Sequence, residues 1–146
     1  MSVKRQVRVR VESNHERETT VQEFTGVRLV KGRYVYVRYE ERTEPVSGGE
    51  SARTMTTVKI GDDELKIIRH GHVQSEQSFR AGRKLPGFYR SPYAQFQLST
   101  YTRELQMDVQ EAAMRMAWVY DLFVHGECTG RFAVQISIQE ESGHES

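Results

Sequence analysis

Three stretches of this chain alternate apolar and polar residues at every second position, and that period limits what the chain can fold into. Met114, Met116, Trp118, Tyr120, Leu122 and Val124 share one parity, and Phe132, Val134, Ile136 and Ile138 repeat the pattern. Val3, Val7, Val9 and Val11 carry it near the start, separated from Lys4, Gln6, Arg8, Arg10 and Glu12 on the other parity. Successive side chains of an extended strand point to opposite faces, so each run reads as a strand with one face in a core and one in water. Further strands are expected at about 19–30, 34–41, 53–60, 63–70, 73–80 and 93–109. Lys31-Gly32 should join the 19–30 and 34–41 strands, with glycine where a positive φ is needed. Helical spacing occurs only at Leu105, Val109 and Ala112; because the period of two continues on both sides, a turn is expected at 110–113. "RTEPVSGGESAR" (42–53) and "RAGRKLPGFYRSP" (80–92) read as loops, rich in proline and glycine. Eight or nine antiparallel strands with short connections and no crossover helix close best as an up-and-down barrel or a sandwich, since closure removes the edges.

The chain has 146 residues, enough for one domain with one core; the ordered part is expected over 3–140, with a flexible loop at 42–53 and a frayed tail at 141–146. Hydrophobic content of 37% beside 28% charged residues is a globular composition. No apolar run approaches the roughly 20 residues of a membrane span, and "MSVKRQVRVRV" lacks the apolar stretch of a signal peptide, so neither a membrane nor secretion is expected. The single cysteine, Cys128, cannot form an intrachain disulfide and suits a reducing cytoplasm. A net charge of +1 gives no general polyanion-binding signature. The charge is uneven, however: Arg80, Arg83, Lys84, Arg90 and Arg103 fall in a segment from Gln77 to Arg103 that contains no acid.

"TGVRLVKGRYVYVRYEE", "LKIIRHGHV", "FYRSPYAQFQLST" and "WVYDL", in that order and at these intervals, resemble the YwiB-like family (DUF1934) of small bacterial proteins. The most specific pieces are the tyrosine and two glutamates that end the third strand, and the Ser-Pro-Tyr that opens the long strand. The resemblance spans about Val3 to Glu140. It implies an all-β, calycin-like (lipocalin-like) antiparallel barrel, and it carries no established activity.

Within such a barrel several groups are candidates for a site. Pairing Leu29 with Tyr34, Val27 with Tyr36 and Phe24 with Tyr39 would place Val21, Val27, Leu29, Tyr34 and Tyr36 on one face of the hairpin. Phe24, Val30, Val35, Val37 and Tyr39 would then take the other. Both faces are half apolar, so the outer one could be covered by a loop or a second copy of the chain. Phe96, Trp118 and Tyr120 should point inward. Arg69 shares parity with Leu65 and Ile67; a guanidinium facing inward needs a carboxylate, with Glu41 or Glu23 preferred, or an anionic group on a ligand. Tyr39, Glu41, Arg69, Phe96, Trp118 and Tyr120 are therefore the expected ligand-binding residues. "FRAGRKLPGFYRSPY" interleaves cations and aromatics as single-strand binders do, but reads as a solvated loop at a barrel mouth, and no nucleic acid is expected. His70 and His72 could hold zinc only if His125 or Cys128 joined them, and nothing in the spacing selects those partners. Gly-x-Ser-x-Gly, phosphate-loop and paired CxxC patterns are absent. The expectation is a non-enzymatic, cofactor-free barrel that binds a small, partly apolar ligand, with or without an anionic group. The alternative is an interaction module or homodimer that uses the aromatic outer face of the second and third strands.

Overall fold

The structure, a computed structural model, describes residues 4–43 and 51–141. It contains ten strands: β1 (Arg5–His15), β2 (Glu18–Lys31), β3 (Tyr34–Thr43), β4 (Ala52–Ile60), β5 (Leu65–Gly71), β6 (Gln74–Phe79), β7 (Lys84–Arg90), β8 (Gln95–Val109), β9 (Ala113–Val124) and β10 (Glu127–Glu140). Each pairs antiparallel with its neighbour in sequence, and β1 pairs with β10, so the sheet closes into an up-and-down barrel. The turns after β1, β5, β7 and β9 lie at one end, called the upper end below; the turns after β2, β4, β6 and β8 lie at the lower end. Of the segment expected as a flexible loop, 42–53, Arg42 and Thr43 belong to β3 and Ala52 and Arg53 to β4. Residues 44–50, Val3 and the tail from 142 lie outside the described residues.

The expectation of eight or nine strands is corrected to ten, and the missed strand is β7, inside the stretch read as a loop. Proline and glycine suggested a break there, yet β7 pairs with β8 along its whole length and with β6 only through Phe88, Tyr89 and Arg90. Pro86 cannot donate to a ladder, and it sits where β6 and β7 have no ladder, a position that tolerates proline. Thr100 of β8 bridges the gap: its buried hydroxyl donates to the Ser78 carbonyl of β6 at 2.6 Å. Gly87 has its own reason, since a Cβ there would lie 2.1 Å from the Glu76 carbonyl oxygen.

The β2–β3 hairpin turns on Gly32 (φ 64°) and Arg33, one residue later than expected. The register therefore moves by two: Leu29 faces Tyr36, and Gly26 rather than Phe24 faces Tyr39. A shift of two preserves parity, so the faces stand as expected. Val37 and Tyr39 are buried, while Val21 and Val27 are exposed on the outside. In β8 a bulge at Arg103 switches the inward parity from Leu98, Thr100 and Thr102 to Leu105 and Met107, which pack on the core. Trp118 and Tyr120 point inward, as their alternation requires. With Val7, Val9, Val58, Leu65, Phe79, Met116 and Ile136 they fill the interior.

Replacing Thr100 with valine keeps the shape and removes the bridging hydroxyl, leaving the Ser78 carbonyl short of a donor. Denaturant unfolding should show a loss of about 1–3 kcal/mol. An unchanged midpoint would mean that the junction between β6 and β7 does not depend on this bond.

Candidate functional site

One row of inward-facing side chains crosses six consecutive strands near the upper end. Tyr39 faces Thr56, Thr56 faces Arg69, Arg69 faces Ser75, Ser75 faces Tyr89, and Tyr89 faces Phe96. Glu41 stands two residues above Tyr39 on the same face of β3. The Arg69 Nε donates to Glu41 Oε2 at 3.1 Å, and the Thr56 hydroxyl donates to the same oxygen. Of the two acids preferred from sequence, Glu41 is therefore the partner. Glu23 lies on the outer wall, 4.0 Å from Arg10. The pair is not sealed: the side chains of Arg69 and Glu41 keep 39% and 23% of their exposure.

Two tyrosines complete the polar cluster. Burial pushes the Tyr39 phenol well above its usual pKa, with the Glu41 charge adding to the rise and Arg69 opposing it. Burial likewise pushes Tyr120 up to about 12, again with Arg69 opposing. Tyr39 stacks on Phe24 at 4.5 Å between ring centroids, and Tyr120 stacks on Phe132 at 5.4 Å. Neither phenol hydroxyl, and neither terminal amino group of Arg69, is hydrogen-bonded to a described residue. The cluster thus offers several free donors, with Glu41 Oε1 and the phenol oxygens as free acceptors, between aromatic walls and beside an ion pair whose charges cancel.

The wall beside this cluster parts toward the upper end. Among the described residues the β2–β3 ladder ends at Gly26 and Tyr39, above which β2 pairs with β1 and β3 with β4. Thr20 and Gln22 share the inward parity of Phe24 yet are exposed. Solvent therefore reaches the inner face of the wall next to Glu41.

The other two expected residues stand apart from the cluster. Phe96 ends the row on β8, stacked on Tyr89 at 5.1 Å. Trp118 lies in the core, 2% exposed and 5.2 Å from the Phe79 ring, with its indole nitrogen unpaired. The basic stretch is dispersed: Arg80 binds Asp63, Lys84 covers the Phe123 ring, and Arg103 binds Asp121. Among the described residues no three His, Cys, Asp or Glu side chains gather as a metal site. Sequence reading missed a triad on the outer wall, where the almost fully buried Asp121 carboxylate accepts from Arg131 at 2.9 Å and from Arg103 at 2.8 Å. The hydrogen bond from Arg131 is the main reason its pKa falls below the usual carboxylate value. The available signal was a lone acid within the most apolar strand.

Replacing Arg69 with methionine leaves Glu41 with Thr56 alone and should cost about 1 kcal/mol, the scale of a partly exposed pair. Adding Glu41→Gln should recover part of that loss; two losses that simply add would show the residues are uncoupled. The tyrosines give a second check. In the unfolded chain a phenol loses its proton near pH 10, whereas Tyr120 holds its own to about 12. The unfolded state therefore binds fewer protons between these values, so stability contributed below pH 10 is lost as pH rises toward 12. Absorbance titration should show Tyr39 and Tyr120 ionising above the pH at which phenols of the unfolded chain lose their protons. Ionisation of all seven together near pH 10 would contradict the burial argument.

The same arrangement of strands occurs in a solved protein. The crystal structure of ywiB protein from Bacillus subtilis superposes with a TM-score of 0.70 over 97% of this chain and 94% of that one, at 24% identity. In sequence, the chain is 27% identical over 117 residues to the "Uncharacterized beta-barrel protein YwiB" of Bacillus subtilis (strain 168), covering 80% of this chain and 78% of that protein. The family model described as "Domain of unknown function (DUF1934)" matches residues 5–136. That span runs from the first residue of β1 into the last strand that closes against it, so the chain belongs to this family, the YwiB-like β-barrel proteins.

Proposed function

We propose that this protein is a non-enzymatic cytoplasmic binder that takes one small, partly apolar ligand into the upper end of the barrel, without a cofactor. The observation that carries this reading is the Arg69–Glu41 pair with unpaired tyrosine hydroxyls beside an opening in the wall. Buried polar groups are normally satisfied, so free donors at a solvent-reachable position suit a ligand with acceptor atoms. Tyr39 and Tyr120 supply aromatic faces for its apolar part, Phe96 borders the row, and Trp118 lies in the core beneath. An anionic group on the ligand would meet the free terminal amino groups of Arg69, whereas a neutral one leaves the charge balance with Glu41 undisturbed. Neither nucleic acid nor a membrane surface enters this reading, since the net charge of +1 gives little long-range attraction.

A second reading has its own support. A groove of about 380 Å³ on the outer wall of β1 to β4 is lined in part by Val27, Leu29, Arg38 and Met55, and Val27 is 37% exposed. This is the outer face of the second and third strands, where a partner protein or a second copy would dock. Native mass spectrometry of the protein purified from its own host separates the two. The ligand reading expects a discrete added mass that is absent from the Arg69→Met variant. A bare monomer mass overturns it, and a bare dimer moves the outer-face reading ahead.

A further inference from the structure

A trough of about 670 Å³ runs along the outer wall where β8, β9, β10 and β1 lie side by side, away from the barrel interior. Its shape follows from the cross-strand register. Arg8 faces Gln139, which faces Ala113; two residues along each strand, Arg10 faces Ser137, which faces Arg115. Ser137 on the middle strand β10 and Ala113 on β9 are small and lower the wall, while Arg8 and Arg10 rise from β1 and Arg115 from β9. The opposing rims are two strand spacings apart, roughly 10 Å at the backbone, so guanidinium groups from both can meet above Ser137.

The charges in the trough are unequally committed. Glu23 lies 4.0 Å from Arg10, which is also 3.3 Å from Glu12. Asp108 faces Arg115 across the strands but accepts from the Gln110 amide at 3.2 Å. Arg8 and Arg115 have no carboxylate within ion-pair distance among the described residues. The lining holds three arginines against Glu23 and Asp108; with Glu12 beside Arg10 the charges balance, and the cations without a carboxylate at ion-pair distance are Arg8 and Arg115.

We propose that this trough is an oxyanion site that takes the phosphate group of a small phosphorylated molecule. Arg8 and Arg115 close on the oxyanion from the two rims, and the Ser137 hydroxyl and Gln139 amide donate from the floor. Guanidinium groups match phosphate oxygens with paired N–H donors. Donors arriving from several directions suit a tetrahedral group better than a planar carboxylate. The site is independent of whether the barrel interior holds a ligand.

The test is an amide NMR titration with inorganic phosphate, and separately with pyrophosphate, each against chloride at matched ionic strength. Saturating shifts confined to residues around 8, 115, 137 and 139 are expected with both phosphates and not with chloride. Arg115→Gln or Arg8→Gln should weaken binding by at least about tenfold, since each removes a charged hydrogen-bonding partner. Arg90→Gln, at the upper end of β7 and away from the trough, should change nothing, and unaltered Trp118 emission will show that each variant is folded. Shifts spread over all exposed arginines, or unchanged binding by Arg115→Gln, would mean non-specific ion pairing only and overturn the proposal.

Discussion

The pairing of the first strand with the last holds the molecule together as a barrel. β1 and β10 share a ladder from Val7 opposite Glu140 to His15 opposite Phe132. Without it the sheet would expose two long edges, and open edges invite pairing with other chains. The same ladder sets Val9 beside Ile138 and Val11 beside Ile136, so closure also brings the apolar faces at the two ends of the chain into one core. Contacts between residues this distant in sequence form at a large entropic cost, which makes closure the expected slow step of folding.

The inward and outward faces could be read from the chain because parity is a local property: whatever partner a strand finds, residues two apart share a face. Register is not local in the same sense. The one-residue change at the Gly32 turn shifted the β2–β3 pairing by two and left every face assignment intact. β7 was hidden for a related reason. Pro86 and Gly87 argue against a strand only when both neighbours require a ladder, and here β6 diverges where Pro86 lies while Thr100 reaches across from β8. The bulge at Arg103 likewise broke the alternation of β8 at a point that depends on its pairing with β9.

The candidate site was partly legible. The placement of Arg69 with Glu41 came from parity on two strands and the cost of an unpaired inward charge. Parity says whether a residue faces inward, but not how high it stands in the barrel. Height depends on the stagger between strands, which is why Trp118 lies in the packed core while Tyr120, two residues further along, lies near Arg69. The Asp121 triad was illegible because its two arginines come from a bulge in β8 and from β10.

Gly26 shows why polarity gathers at the upper end. A Cβ at this position would lie 2.5 Å from the Arg38 carbonyl oxygen, so the backbones of β2 and β3 approach here more closely than any side chain allows. Directly above this contact the two strands part. Below it the ladder excludes water, and the interior is mostly apolar, with Val37 and Val58 beside a few buried hydroxyls such as that of Thr100. Above it water reaches the inner face, and an ion pair there keeps part of its hydration instead of losing it all, which lowers the desolvation penalty that makes deeply buried pairs unfavourable. The Arg69–Glu41 pair therefore stands at the boundary between the two regimes. It is shielded enough for the surrounding hydroxyls to matter electrostatically, and open enough for another molecule to replace the water around it.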